Sequence, residues 1–403
     1  MVLLRFMHRK IKKRIFLDHA SATPILPEVS SLMSEYNRKF FANPSALYKE
    51  ALIAHADMER ARKGIADILR AQPDEIVFTA SGTEADNLAI SGITDDLFGN
   101  KKHTPHIIVS RFEHSAILES VKKFERKGGK VTYVGVDEKG FVSPKDILAA
   151  LTPETVLVSV MYVNNEIGTI QPIKEIAKTI RYYKKHHAKE IAHCFYGKGP
   201  LFHTDASAGA NYLSLEVLTL GVDLMTLDAA KIYGPKGIGL LYAKRGIPLS
   251  PAIVGGGQEG GRRSGTENIS HILGFAKALA VVQSDREKEG KRLTKLRDHA
   301  IQEISKRAPG SHQNGGGSIL PNTINICFPG FDAQFLVLKL DVRGIAVSSS
   351  SACQSKKEDA KSHVLAVLGN KGCDTSSLRI TLGRYTKKTD VDALVRMFPE
   401  VLK

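Results

Sequence analysis

No uncharged apolar run in this 403-residue chain reaches the roughly 18 residues that a membrane-spanning helix needs. The N-terminal MVLLRFMHRKIKKRIF has only a brief apolar start before its charges, so it reads neither as a span nor as a cleaved signal. The expectation is a cytoplasmic protein that does not associate with membranes. Cysteine is scarce: Cys194, Cys327, Cys353 and Cys373 are the four, and they show no paired spacing. Reduced thiols are therefore expected rather than a disulfide framework. Cys327 lies in an apolar run and reads as core, and Cys373 reads as a loop residue. A zinc spacing is missing too. His186, His187, His193, Cys194 and His203 crowd the segment HHAKEIAHCFYGKGPLFH but match no standard pattern, so a solvated loop or dimer contact is expected, and no metal. No internal repeat or low-complexity tract stands out, and QNGGGS (Gln313 to Ser318) reads as a flexible loop.

What the chain has in excess is positive charge, a formal +15. Clustered Lys and Arg attract phosphate non-specifically. Outside the N-terminal HRKIKKR, however, the basic residues are interspersed with acids, as in REKEGKRLTKLRD, which marks a solvated helix face. Direct nucleic-acid binding is not expected, and an acidic protein partner ranks above it.

At 42% hydrophobic content the chain can bury a large core. Helical periodicity over Pro27 to Phe40 and Ala46 to Arg70 gives way to an alternation of short apolar runs (EIVFTA, HIIVS, VTYVGV, TVLVSVMYV, LFHTDA) with helical segments. Such alternation predicts an α/β fold, a mostly parallel central sheet flanked by helices, with ligands outside the carboxyl ends of the strands. From Ile272 to about Ala308 the chain reads as long polar helices, followed by a looser alternation typical of an α+β unit. The expected division is an N-terminal arm (1–23) packing with a small C-terminal domain (271–403), and a large domain (24–270) between them.

The residues that can carry chemistry fall at the predicted strand ends. In DLMTLDAAKIYGPKGIGLLY, Lys231 stands at a turn between two apolar runs. Burial disfavours the ammonium form, which makes such a lysine a candidate nucleophile toward a carbonyl cofactor such as pyridoxal phosphate; a surface turn lysine is the plainer alternative. SGTEADN ends a strand and starts a helix, so Ser81, Gly82 and Thr83 can hold a phosphate there, or form only a capping box. His114 of EHSA can stack on a ring or shuttle a proton, although a lone histidine is more often structural. Asn164 and Asn165 offer amides for a ring hydroxyl or a carboxylate. Asp205 of HTDA needs a cationic partner, and a protonated pyridine nitrogen is one.

In order along the chain, LDHASATP, ANPSA, FTASGTEADN, EHSA, VNNEIGT, HTDA, KIYGPKGIG, GGGQEGGRRSGTEN, SSSSAC and LRITLGR resemble the cysteine desulfurases of the class V aminotransferase group. The resemblance covers nearly the whole chain and implies a homodimeric, pyridoxal-phosphate-dependent enzyme of fold type I. It implies that Lys231 holds the cofactor covalently, Asp205 pairs with the pyridine nitrogen and His114 stacks on the ring and moves protons. Ser81, Gly82 and Thr83 are implied at the phosphate, with Thr266 reaching the phosphate of the neighbouring subunit. Asn165 and Arg379 are implied at the carboxylate of the substrate L-cysteine, which the planar fork of arginine suits.

Cys353 is implied to take the substrate sulfur as a persulfide, L-alanine leaving, and to hand it to an acceptor such as an iron–sulfur scaffold or a tRNA-thiolation protein. The SSxSAC form resembles the long-loop group, and Lys356, Lys357 and Lys361 favour its thiolate. A selenocysteine-lyase-like enzyme and a catalytically impaired scaffold are the alternatives. Three positions depart from the family pattern. Asp228 and Ala230 stand where Ser and His contact the phosphate, and Ala208 stands where a glutamine bonds the ring hydroxyl. An aspartate repels a phosphate dianion unless it points away or pairs with Arg262 or Arg263.

Overall fold

The computed structural model describes residues 14–99, 103–195, 199–350, 361–370 and 372–403. Seven strands form the central sheet: β2 (Ile76–Thr79), β3 (His106–Ser110), β4 (Lys130–Val134), β5 (Thr155–Ser159), β6 (Leu201–Asp205), β7 (Leu224–Asp228) and β8 (Gly239–Ala243). Their spatial order is β2-β8-β7-β6-β5-β3-β4. The strands from β7 to β4 pair in parallel, while β8 runs antiparallel to both β2 and β7. The apolar runs are nearly continuous because both faces of the sheet are covered. In β2 and β8 the alternation is visible: Ile76, Phe78, Leu240 and Tyr242 face one core, and Val77, Leu241 and Ala243 the other.

Helices α1 (Pro27–Lys39) and α2 (Lys49–Leu69) precede the sheet, and α3 (Gly82–Thr94), α4 (Ser115–Arg126), α5 (Pro144–Ala150) and α6 (Ile173–His186) follow β2 to β5 in turn. Ser81 caps α3 by accepting from the Glu84 N–H at 3.1 Å, which fixes a helix start directly after a strand end. Short helices α7 (Ala188–Ala192) and α8 (Val217–Leu220) flank β6.

A second sheet is wholly antiparallel, in the order β12-β13-β10-β9, from β9 (His312–Gln313), β10 (Thr323–Cys327), β12 (Ser348–Ser349) and β13 (Ser377–Thr381). β1 (Ile15–Phe16) pairs in parallel with β11 (Ile345–Ala346), and Thr381 N–H donates to the Leu17 carbonyl at 2.8 Å. α10 (Ala333–Val342), α11 (His363–Val367) and α12 (Lys388–Val401) complete this part. Between the sheets runs α9 (Ile269–Arg307), one helix of 39 residues. Its Ile272, Phe275 and Leu279 are buried in the core of the large sheet, and its Leu293, Ala300 and Ile304 in the core of the small one.

Two readings of the sequence are corrected here. Cys327 and Cys373, expected as separate thiols, are joined in a disulfide. The pairing comes from the sheet register: Cys327 at the end of β10 faces Ser377, so the turn leading into β13 lies alongside, a relation that the 46-residue separation hides. QNGGGS is more than a loop. Gln313 belongs to β9, and the fully buried Asn314 donates to Asn325 and Ser377.

Candidate functional site

The register of the large sheet brings the site together. Gly239 stands between Thr79 of β2 and Asp228 of β7, and Asp205 of β6 pairs with Thr226. The ends of β2, β6 and β7 thus open on one cavity of about 240 Å3, lined by Gly82, Thr83, His114, Asn165, Asp205, Asp228, Lys231 and Arg379 among others. Gly239 has to be glycine, since a Cβ there would lie 2.4 Å from the Ser81 carbonyl carbon.

Lys231 follows β7 in a single turn of 3-10 helix. Its Nζ donates to the carbonyls of Ala20 (2.9 Å) and Ser21 (2.7 Å), so the segment after β1 holds the ammonium. His114 caps α4, with Nδ1 accepting from the Ala116 N–H at 3.2 Å. That bond leaves the proton of the neutral ring on Nε2. Burial lowers its pKa against the pull of Asp205 and, more weakly, Asp228, with Lys231 and His363 adding to the lowering, so the neutral ring is favoured.

Arg379 is buried on β13. It donates to Asp18 (3.0 Å) and Ser21 Oγ (2.7 Å), and to the Asn165 carbonyl (3.3 Å), while its buried Nε lacks a hydrogen-bond partner among the described residues. A guanidinium with a spare buried donor at a cavity wall suits a carboxylate ligand.

Carboxyl groups outnumber cations at the strand ends. Asp86 of α3 is pushed well above the ordinary carboxylate range by burial and then by Asp205. Glu113, whose Oε1 accepts from the Met161 N–H at 2.7 Å, is pushed up to about 8 by burial. Asp205 itself accepts from the Ser207 N–H at 2.9 Å. With these neighbours favouring their neutral forms, Asp205 is the carboxylate that suits a ligand carrying a positive charge, as a protonated pyridine ring does. At the ring end the residues therefore fit pyridoxal phosphate.

The phosphate end differs. Asp228 does not point away, and it pairs with no arginine among the described residues. Its Oδ2 accepts from the Gly82 N–H at 3.1 Å and its Oδ1 from the Ala230 N–H at 2.8 Å. Arg263 instead donates to Glu84 at 2.8 Å, and Arg262 to the Asp74 carbonyl at 2.9 Å. The Ser81 hydroxyl is engaged in capping, and Thr266 lines a separate cavity with Arg263 and Asn268. Cys353, with Lys356 and Lys357, lies outside the described residues.

The histidine-rich segment disperses. His203 is buried between Ser159 and Thr226, and burial lowers its pKa to about 3. His186 contacts the Tyr182 carbonyl, and His187 lies near Glu190. Reading the sequence also missed Glu166 and Ser362. Glu166 Oε2 accepts from the Ser362 hydroxyl at 2.6 Å, and nothing in the local sequence around either residue signals the other.

The chain is similar to known proteins over nearly its whole length. The family model described as "Aminotransferase class-V" matches residues 15–394. The cysteine desulfurase IscS of Dictyoglomus turgidum is 39% identical over 396 residues, covering 98% of this chain and 95% of the relative. The cysteine desulfurase IscS of Clostridium botulinum (strain Hall) is 40% identical with the same coverage. A solved NifS-like protein superposes with a TM-score of 0.87 at 31% identity, covering 97% of this chain and 99% of the other. The NifS-like protein of Rickettsia africae gives 0.83 at 28%, again over 97% and 99%. No helix among the described residues is long and apolar enough to cross a membrane. A full-length match of this kind, on a site with the lysine, aspartate, histidine and arginine at one cavity, places the chain in the aminotransferase class-V family, among the cysteine desulfurases.

Proposed function

We propose that this protein is a pyridoxal-phosphate-dependent cysteine desulfurase that converts L-cysteine to L-alanine and passes the sulfur to an acceptor protein for iron–sulfur cluster assembly or tRNA thiolation. The observation that carries the reading is the shared cavity of Lys231, Asp205, His114 and Arg379. When bound, the cofactor supplies an electron sink for the carbon next to the amine. The residues do the rest. Arg379 and Asn165 orient the substrate carboxylate, and Lys231 moves the proton on the α-carbon. His114, held neutral with its proton on Nε2, is placed to exchange a proton with the substrate.

Gly82 and Thr83 at the head of α3 would hold the phosphate, and Thr266 would serve the partner subunit of a homodimer. Cys353 takes the sulfur: its thiolate forms an S–S bond as the carbon–sulfur bond of the substrate breaks. On this reading Ala20 and Ser21 of the arm and Arg379 of the small domain close the site from one side. Incubating the purified protein with L-cysteine and a thiol reductant, while following alanine, sulfide and cofactor absorbance together, is the test. Equal release of alanine and sulfide is expected, and neither product appearing refutes the reading.

A further inference from the structure

Asp228 is the carboxylate that the fold sets against the head of α3. Both its oxygens are aimed by backbone donors, Oδ2 by Gly82 and Oδ1 by Ala230. The first of these N–H groups belongs to the helix start, where the partial positive charge favours an anion. The space is tight as well. A Cβ on Gly82 would lie 3.0 Å from Asp228 Cβ and 3.4 Å from Ser207 Oγ. One carboxylate thus already takes a backbone donor at the head of α3, the kind of donor a phosphate ester uses.

The surrounding charges do not relieve this. Asp205 from the end of β6 adds a further carboxylate to the same cavity, and Asp86 from α3, whose pKa is raised by burial, brings no positive charge to it. His114, at the start of α4, is held neutral. Lys231, on the turn after β7, donates to the carbonyls of Ala20 and Ser21, and Arg379 of β13 is paired with Asp18. Arg263 at the rim is paired with Glu84.

We propose that Asp228 makes retention of the cofactor's phosphate proton-linked: with a carboxylate on its backbone donors, the head of α3 does not fit a phosphate dianion and would accept the ester only together with one more proton. Two anions at one N–H donor repel unless one is neutralised. A phosphate ester has its second pKa at about 6, so solvent supplies the proton near neutrality. The proton is taken up when the cofactor binds and returned when it leaves, with no covalent change at phosphorus. Asp228 is thereby a specificity residue for the charge state of the cofactor. The proposal rests on the desulfurase reading above.

The test uses full-length protein, stripped of cofactor with hydroxylamine and dialysed, then titrated with pyridoxal 5'-phosphate and separately with pyridoxal. Visible absorbance is followed across neutral to alkaline pH for the natural chain, Asp228→Asn and Asp228→Ser. Two variants are used so that the result does not depend on the folding of one. The natural chain is expected to lose affinity for pyridoxal 5'-phosphate about tenfold more per pH unit than either variant, the signature of one extra bound proton. Affinity for pyridoxal should be the same in all three. Parallel pH profiles for pyridoxal 5'-phosphate, or variants that alter pyridoxal binding equally, overturn the proposal. No absorbance change in any of the three with either ligand overturns the desulfurase reading itself.

Discussion

The Ser362 hydroxyl donates to Glu166 Oε2 across 2.6 Å, joining positions 196 residues apart. Ser362 also caps α11 by accepting from the Leu365 N–H at 3.1 Å, so this bond ties the start of α11 to the loop after β5. Burial raises the Glu166 pKa from 4.5 to about 7, against the opposing effects of Ser362 and Arg379. The folded state thus prefers the protonated acid. Stability from this group is complete below the unfolded pKa and declines as pH rises through 4.5 to about 7. At roughly 1.4 kcal/mol for each tenfold change in proton affinity, the loss is on the order of 3 kcal/mol. Thermal unfolding of the natural chain and Glu166→Gln as a function of pH checks this: the variant should lack the decline over that window, and identical profiles would count against it.

His114→Ala removes a group placed to move protons while leaving Lys231 and Asp205 in position. The expected result is a fall in kcat of about 10²–10⁴-fold with cofactor absorbance retained. Loss of absorbance along with activity would assign the residue to cofactor binding instead.

Arg379→Lys replaces a planar fork by a point charge. The charge-assisted bond that the spare Nε can give a carboxylate is lost, so KM for L-cysteine should rise by roughly 10- to 100-fold, with a smaller effect on kcat. Steady-state kinetics decide the point, and an unchanged KM removes Arg379 from the substrate site.

Cys353→Ser should leave cofactor absorbance unaltered and abolish sulfide release, because the sulfur then has no thiolate to receive it. Continued sulfide output by the variant would show that another group accepts the sulfur.

Gly239→Ala places a methyl 2.4 Å from the Ser81 carbonyl carbon. Overpacking of this kind costs about 1–3 kcal/mol, and here the strand ends beside the cavity have to yield. A lower unfolding midpoint together with weaker cofactor retention is expected; a variant matching the natural chain in both would refute the constraint.

The large sheet was legible because its strands are covered on both faces and leave uninterrupted apolar runs such as HIIVS and TVLVS. The positions at the cavity were legible for a related reason: chemistry in such folds gathers at the carboxyl ends of strands, and Asp205 and Asp228 end β6 and β7. Side-chain direction was not. The sequence could show that Asp228 replaces a smaller residue, but only the register of β7 against β8 reveals that its carboxylate meets the Gly82 N–H rather than a neighbouring arginine. The antiparallel course of β8 was hidden because a short buried run reads alike in either direction. The bond between Cys327 and Cys373, the burial of Asn314, and the Glu166–Ser362 contact escaped notice for a common reason. Each is set by pairing between segments far apart in the chain.

α9 has a wider consequence than its length suggests. Because its first half is part of one core and its second half part of the other, neither core can lose its share of the helix without exposing apolar surface in its neighbour. The two sheets are thermodynamically linked through one rigid rod, and heat should melt them in a single transition. A glycine pair introduced near the middle of that rod, between Val282 and Leu293, is the place to separate the one melting event into two.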